Sequence, residues 1–225
     1  MSSLVLREEV AAAARRLAHA GLLVGTAGNV SARSGDGEDA LVAVTASGVT
    51  LAGCRTEDVT VVSLTGDVVE GELRPTSELS LHLGVYADSP DTVAVVHTHA
   101  PWTTAVACVL EELPVLHYQQ LLLGGAVRVA PYATFGTPEL AVFVREALTG
   151  RQAALMANHG SVAIGATLEA AVENALLLEW LAALHHRASA LGAPRVLTDA
   201  EQEDVVLAAL SRGYGTVQPN EGNQQ

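Results

Sequence analysis

The sequence predicts a single α/β domain, and three observations support this prediction. Helical and strand-like segments alternate along the 225 residues, with no internal repeat and no linker between them. A chain of this length favours one domain over two, since domains commonly have roughly 100–200 residues. Hydrophobic residues make up 49% of the chain and charged residues only 16%, so a sizeable core is expected and wholesale disorder is excluded.

The first third of the chain predicts one helix followed by short strands. Residues 5–20 place apolar side chains at helical spacing, and Gly21 follows as a C-cap. Residues 21–33 mix apolar residues with glycines and an asparagine, a pattern that predicts a short strand, a turn and the start of a second strand. Two further strand-like runs lie at 41–45 and 59–64, and a hairpin signal, TGD, lies at 65–67.

The rest of the chain alternates helices with buried strands around an irregular segment at 116–137. Thr76 or Ser77 can cap a helix that has Glu78 in its first turn, where a carboxylate interacts favourably with the helix dipole. The predicted elements are a helix over 78–88, a buried strand over 92–99, helices starting at Pro101 and Pro138, a buried strand over 153–157, a long amphipathic helix over 167–192 and a last helix over about 199–211.

Charge and cysteine usage exclude several classes of function. Twenty-five acidic residues against twelve basic ones give a formal charge of −13, and the single adjacent basic pair, Arg15-Arg16, lies within the first helical segment. Such a chain repels a phosphate backbone, so we expect no nucleic-acid partner. The sequence has no signal-peptide pattern and no apolar stretch of about 18 residues or more, so no membrane partner is expected. Cys54 and Cys108 are unpatterned, which suits a reducing compartment and predicts a cytoplasmic protein.

Three histidines form a candidate metal site. His97 and His99 are two apart in an apolar strand, and the period of two places both imidazoles on one face. The pair alone fits a metal site and a pair of satisfied core histidines about equally well. His159 follows another buried strand in the turn Asn158-His159-Gly160, and three imidazoles are the ligand set of a catalytic zinc-type site. Among the other histidines, His19, His82, His185 and His186 are expected to be surface or packing residues.

Four further features have a functional and a plain structural interpretation. Glu78 is either a fourth group of the metal site or an ordinary carboxylate at a helix start. Three uncharged turns are either ordinary loops or a phosphate site, because backbone N–H groups, hydroxyls and a helix N-terminus can hold an anion without lysine. These turns contain Thr26, Gly28 and Asn29, then Ser47 and Gly48, then Thr76 and Ser77.

The order of the short motifs in this chain resembles that of the class II aldolase/adducin family. The likeness runs from about residue 5 to 215, and its His-Tyr and Pro-Tyr-Ala-Thr-Phe-Gly-Thr segments favour the fuculose aldolase branch over the pentulose-phosphate epimerase branch. The motifs are Gly-Thr-Ala-Gly-Asn (25–29), Thr-Ala-Ser-Gly (45–48), Thr-Ser-Glu (76–78), His-Thr-His (97–99), His-Tyr (117–118), Ala-Pro-Tyr-Ala-Thr-Phe-Gly-Thr (130–137) and Asn-His-Gly (158–160).

The resemblance implies a three-layer α/β/α domain over 1–215, with a central, mostly antiparallel sheet. The polar composition of residues 216–225 predicts a mobile tail after it. The resemblance implies a homotetramer with sites at subunit interfaces. It also implies one Zn2+ per subunit, and the roles of the site residues follow from the same likeness. By this likeness, zinc would be bound by His97, His99 and His159, and Glu78 would be a displaceable ligand and the catalytic acid/base. Tyr118 would reach a neighbouring subunit's site and protonate the aldehyde oxygen, and Phe135 and Tyr214 would line the aldehyde pocket. The phosphate would be bound by Thr26, Gly28, Asn29, Ser47, Gly48, Thr76 and Ser77.

The activity that the resemblance implies is reversible cleavage of a ketose 1-phosphate, L-fuculose 1-phosphate or similar, to dihydroxyacetone phosphate and an aldehyde such as L-lactaldehyde. Two alternatives remain at this point. A related zinc site could epimerise, decarboxylate or dehydrate another sugar phosphate. A non-catalytic, adducin-like interaction domain would share the fold, but such a domain is expected to lack the ligand histidines that this chain has.

Overall fold

The computed structural model describes residues 2–35 and 37–212, and within them a nine-stranded sheet forms the centre of the fold. The order of its strands is β4-β3-β2-β1-β5-β9-β8-β7-β6, and neighbouring strands are antiparallel except for β7 and β8, which are parallel. The strands are β1 (Asn29–Ser34), β2 (Leu41–Thr45), β3 (Val59–Ser63), β4 (Val68–Glu70), β5 (Ala94–Thr98), β6 (Glu112–Leu113), β7 (Val127–Ala130), β8 (Ala153–Met156) and β9 (Gly160–Gly165).

Helices cover both faces of the sheet. Alternate strand residues point to opposite faces, so Val96 packs with α1, α3 and α5 in one apolar core, whereas Val95 packs with α2 and α4 in the other. The three-layer α/β/α architecture expected from the sequence is therefore confirmed. The helices are α1 (Ser3–His19), α2 (Leu79–Asp88), α3 (Pro101–Ala107), α4 (Pro138–Leu148), α5 (Leu168–Leu191) and α6 (Asp199–Arg212).

Several local predictions differ from the structure. The strand expected just after Gly21 does not form, and the chain enters the sheet only at Asn29. The irregular segment contains β7 and a 3₁₀ turn over Tyr118–Leu123. The N-cap of α2 is Glu78, whose N–H lies 3.3 Å from the Oγ1 of Thr76, so neither Thr76 nor Ser77 caps that helix.

Tyr214 and the tail over 216–225 lie outside the described residues, so their predicted roles stay predictions. In the part of the chain that the structure describes, no helix is both long enough and apolar enough to cross a membrane.

Gly160, the first residue of β9, lets that strand pack closely against β5. This packing positions two candidate ligands, His97 on β5 and His159 directly before β9. A Cβ at position 160 would collide with the backbone carbonyl oxygen of Thr98. We expect Gly160→Ala to lower the free energy of unfolding by about 1–3 kcal/mol, the usual effect of overpacking, in urea denaturation. Gly53→Ala is the control, because a Cβ there meets nothing within 4 Å. Equal stability of the two variants would contradict the prediction.

Candidate metal centre

His97 lies at the middle of the sheet, and the pairing of the strands fixes where its ring points. It stands opposite Asn29 of β1, so both side chains share the face covered by α2. The His97 side chain is fully buried, and its Nδ1 lies 2.9 Å from the carbonyl oxygen of Ser161 on β9. Because that carbonyl only accepts, Nδ1 carries the proton and the lone pair of Nε2 is left free for a ligand.

His99 and His159 complete a group of three imidazoles. The ring centroids of the three histidines lie 4.7–4.9 Å apart, and one ligand atom from each falls within 4.8 Å of the others. His99 follows the last residue of β5, while His159 lies in the turn from β8 to β9. Asn158 has a φ of 55° in that turn, a left-handed conformation that asparagine tolerates better than most residues, and it lets the turn aim His159 inward.

Glu78 brings a carboxylate to the same point from the start of α2. Its Oε2 lies 3.2 Å from Nε2 of His97, and its Oε1 lies 3.6 Å from Nε2 of His159. The side-chain amide of Asn29 donates to Oε2 at 2.9 Å. Oε1 is buried and has no hydrogen-bond partner among the described residues. The two oxygens of one carboxylate thus differ: Oε2 accepts a hydrogen bond from Asn29, whereas Oε1 keeps an unused acceptor.

Burial controls the protonation states at this centre. It lowers the pKa of His99 to about 4 and lowers that of His159, so both imidazoles are neutral at pH 7 and can donate lone pairs. For Glu78, burial alone would raise the pKa, but the polar interactions with His97, Asn29 and His159 outweigh burial and bring the pKa below the ordinary value. At neutral pH, His99 and His159 therefore offer lone pairs and Glu78 offers a negative charge.

These residues fit a divalent metal ion. Nε2 of His97 lies 2.9 Å from Nε2 of His99, a separation at which two lone pairs repel each other unless a cation or a proton lies between them. The unpartnered Oε1 of Glu78 lies 3.6 Å from Nε2 of the third histidine, His159. Three imidazole nitrogens with a carboxylate suit zinc and other transition metals better than magnesium or calcium.

An open cavity of about 450 Å³ lies above the histidines. Glu78, His99 and His159 form part of its wall, and His97 lies buried beneath it. The cavity also brings together all three uncharged turns, from parts of the chain 50 residues apart. The predicted binding residues that line it are Thr26, Gly28, Asn29, Ser47, Gly48, Thr76, Ser77 and Phe135.

Tyr118 is placed elsewhere. It is 40% exposed and lines a separate, mostly apolar groove between its own 3₁₀ turn and α6, together with Leu122 and Val206. The structure therefore brings Tyr118 to a face that another subunit could contact, and not to the cavity of its own chain.

Three residues near the centre were missed by the sequence predictions. Tyr132 and Asn158 line the cavity, and His82, expected to be a surface or packing residue, is fully buried and bonded through Nε2 to Oδ1 of Asn29. The spacing of His82 held a usable signal, because it lies four residues after Glu78 and residues four apart share one face of a helix.

Comparisons with known proteins decide the family. A family model described as the class II aldolase and adducin N-terminal domain matches residues 8–186. The chain belongs to this family. It is a class II aldolase, and its relatives include a 5-deoxy-D-ribulose 1-phosphate aldolase of Bacillus thuringiensis, which is 38% identical over 209 residues and covers 93% of this chain and 96% of the relative.

Two further similarities support the assignment to the aldolases. A 5-methylthioribulose-1-phosphate/5-deoxyribulose-1-phosphate aldolase of Rhodospirillum rubrum is 40% identical over 206 residues, which cover 91% of each chain. A solved structure of an L-fuculose 1-phosphate aldolase superimposes with a TM-score of 0.87 at 37% identity, over 92% of this chain and 97% of that one. The family and the kind of enzyme that the sequence implied are therefore confirmed.

The buried His82 predicts a pH dependence of stability. Burial lowers its pKa to about 3, whereas an unfolded histidine titrates near about 6.5. Between these values the unfolded aldolase binds more protons than the folded one, so stability falls as the pH falls, by up to about 1.4 kcal/mol per pH unit for each histidine. His99 and His159 act in the same direction.

We expect the free energy of unfolding of the metal-free aldolase, measured in urea, to drop between pH 7 and pH 5. The drop should be smaller in a His82→Gln variant, which cannot titrate at this position. Parallel pH profiles of the parent and the variant would contradict this explanation.

Proposed function

We propose that this aldolase uses one Zn2+ per subunit to cleave a ketose 1-phosphate reversibly between C3 and C4, giving dihydroxyacetone phosphate and a short aldehyde. The observation that carries the proposal is the carboxylate of Glu78, which has one hydrogen-bonded oxygen and one unpartnered oxygen. It lies beside three imidazoles at a cavity lined by hydroxyl and glycine turns. That combination supplies a proton-transferring group, a metal site and an anion site within one cavity.

The phosphate is proposed to bind the three turns. None of the described residues that line the cavity is a lysine or an arginine, so this chain would hold the anion with backbone N–H groups and hydroxyls. The turn with Ser47 and Gly48 lies beside the turn with Thr76 and Ser77, because Ala46 and Pro75 form an antiparallel bridge. The second turn comes just before the N-terminus of α2. An uncharged phosphate site of this kind is compatible with a chain of charge −13.

The substrate is proposed to be a ketose 1-phosphate whose far end is apolar. The 5-deoxyribulose, 5-methylthioribulose and fuculose phosphates named for the relatives all have the terminal hydroxyl replaced, by hydrogen or by a methylthio group. Tyr132 and Phe135, both about two-thirds exposed, provide aromatic surface in the cavity wall where such a group could pack. Acetaldehyde and L-lactaldehyde are the matching aldehydes.

In this mechanism each chain contributes Glu78 as the base of its own site and Tyr118 as the acid of a neighbouring subunit's site. Zinc, when bound, supplies Lewis-acid polarisation of the ketose carbonyl. Oε1 of Glu78 removes the proton from C3 of dihydroxyacetone phosphate in the condensation direction, while the hydroxyl of Tyr118 from a neighbouring subunit gives a proton to the oxygen that forms on the aldehyde carbon. In cleavage the same groups act in reverse. A homotetramer with shared sites is proposed on this basis.

A mixing experiment tests the shared site. We expect Tyr118→Phe to slow cleavage by about 10²-fold or more, the range lost with a general acid, without loss of metal. Inactive Glu78→Gln subunits mixed with Tyr118→Phe subunits should regain activity, because hybrid interfaces pair an intact Glu78 with an intact Tyr118. Mixing Glu78→Gln with His159→Ala is the control, since both lesions lie in the same half of the site. If the first mixture recovered no more activity than the control mixture, the role of Tyr118 across subunits would be refuted.

The proposed reaction is tested by product analysis. The zinc-loaded enzyme is incubated with 5-deoxyribulose 1-phosphate, L-fuculose 1-phosphate, ribulose 1-phosphate and ribulose 5-phosphate, and the products are identified by NMR. We expect dihydroxyacetone phosphate and an aldehyde from 1-phosphates, with the terminal-deoxy sugars cleaved fastest. Turnover of ribulose 5-phosphate without cleavage would favour an epimerase instead.

A further inference from the structure

A line of buried polar side chains leads away from Glu78 behind α2. Oε2 of Glu78 accepts from Asn29, Oδ1 of Asn29 bonds Nε2 of His82, Nδ1 of His82 lies 2.7 Å from Oγ of Ser31, and that oxygen lies 2.6 Å from the hydroxyl of Tyr86. All five side chains are buried. We call Asn29, His82, Ser31 and Tyr86 the buried relay. It lies within the apolar layer that α2 forms with the sheet.

The hydrogen bonds of the buried relay run in one direction. A carboxylate only accepts, so the amide NH2 of Asn29 faces Glu78 and its Oδ1 faces His82. Because Oδ1 also only accepts, Nε2 of His82 carries the proton and Nδ1 accepts one from the hydroxyl of Ser31. Ser31 in turn accepts from Tyr86. Every donor therefore points towards Glu78, and reversing the direction would turn the Asn29 carbonyl against the carboxylate.

Two independent features of the sequence set up this alignment. Glu78, His82 and Tyr86 are four residues apart, so they lie along one face at and after the start of α2. Asn29 and Ser31 are two apart on β1, opposite His97 and Val95, so they point to the same face of the sheet. The face of α2 that carries Glu78, His82 and Tyr86 therefore packs against the face of β1 that carries Asn29 and Ser31.

The consequence of the relay is the difference between the two oxygens of Glu78. Asn29 can hold Oε2 only while its own amide is kept from turning, and the bond from His82 to Oδ1 fixes that amide. Oε1 is then left without a hydrogen bond, at 3.6 Å from Nε2 of His159. An amide free to rotate would allow either oxygen to be bonded.

We infer that His82 is a positioning residue for the aldol reaction: through Asn29 it holds Oε2 of Glu78 and so makes Oε1 the oxygen that exchanges a proton with C3 of the substrate. Ser31 and Tyr86 keep His82 in the tautomer that donates from Nε2. The inference rests on the proposed function of Glu78, and it adds three residues that do not touch the substrate.

Two substitutions at position 82 test this role in the zinc-loaded enzyme. The measured quantity is the rate at which C3 of saturating dihydroxyacetone phosphate exchanges its proton in D2O. His82→Leu should lower that rate by about 10–100-fold, the range typical of lost outer-shell partners, with bound zinc and the Kd for dihydroxyacetone phosphate close to the parent values. His82→Gln retains an NH2 donor near the position of Nε2 and should restore most of the exchange.

Gln120→Leu is the matched structural control. Gln120 is equally buried and donates one side-chain hydrogen bond to the carbonyl oxygen of Leu113, away from the cavity. We expect a loss of Tm comparable to that of His82→Leu but unchanged exchange. In addition, 15N spectra of the histidine-labelled parent should show His82 as the neutral Nε2–H tautomer, and Ser31→Ala should disturb this state.

The outcomes separate the two hypotheses. No C3 exchange by the parent enzyme would overturn the proposed function and this inference with it. Exchange by the parent that persists undiminished in His82→Leu would overturn the positioning role alone. Equal losses of C3 exchange in His82→Leu and Gln120→Leu would also overturn the positioning role, as would a His82 that carries its proton on Nδ1.

Discussion

Replacing Glu78 with glutamine is expected to remove C3 proton exchange and to slow cleavage by about 10²–10⁴-fold, the range that general acid–base catalysis contributes. The amide oxygen of the new side chain can still accept from Asn29, as Oε2 does at 2.9 Å. Only the unpartnered Oε1 is replaced, by a nitrogen that cannot take up a proton. Exchange is followed by NMR in D2O, with metal content and dihydroxyacetone phosphate binding measured on the same sample.

Two variants control this experiment. Glu179→Gln makes the same change of charge on the opposite face of the sheet, where the carboxylate accepts from the N–H groups of Trp102 and Thr103 at the start of α3, and it should leave exchange intact. Glu78→Asp keeps a carboxylate but retracts it by one methylene, so a partial rate is expected. Full exchange by Glu78→Gln would show that another group removes the proton.

The parts of the fold that local patterns determine were predictable from sequence. The long amphipathic pattern, with Thr167 before it and Gly192 after it, gave α5 almost to the residue. The run LVAVT became β2 with the bounds expected, Leu41–Thr45. The same locality explains why His97 and His99 could be placed side by side, since the period of a strand is a property of the strand alone.

The parts that were missed depend on contacts between distant segments. β9 is rich in glycine and alanine, which form strands weakly, and it is held because β5 and β8 pair with it on both sides. His82 looked like any helical histidine, because its partner Asn29 comes 53 residues earlier and meets it only through the register of β1 on β5. Sequence spacing can show that Glu78 and His82 share a face, but not what that face meets.

The three-histidine group predicts the largest effect after Glu78. We expect His159→Ala to lose stoichiometric zinc and to reduce cleavage by more than about 10²-fold, since even outer-shell partners of a metal contribute about 10–100-fold. Two imidazoles and a carboxylate remain, but the carboxylate is the ligand expected to be displaced by substrate, so only two permanent ligands are left where catalytic zinc sites have three. His19→Ala is the control, because that exposed histidine lies on α1 and bonds only the carbonyl oxygen of Arg15 among its described contacts.

Thermal unfolding gives this prediction a measure that does not depend on turnover. A metal that binds the folded state alone stabilises it by about 2.7 kcal/mol when its free concentration is 100 times its Kd, so added zinc should raise the Tm of the parent and of His19→Ala. The Tm of His159→Ala should not respond at that concentration. A variant that kept one zinc per chain would refute the ligand set, whereas one that lost zinc and still cleaved its substrate would refute the need for the metal. Because the imidazoles must be neutral to bind, the zinc-induced rise should also shrink as the pH falls towards about 4, where His99 takes up a proton.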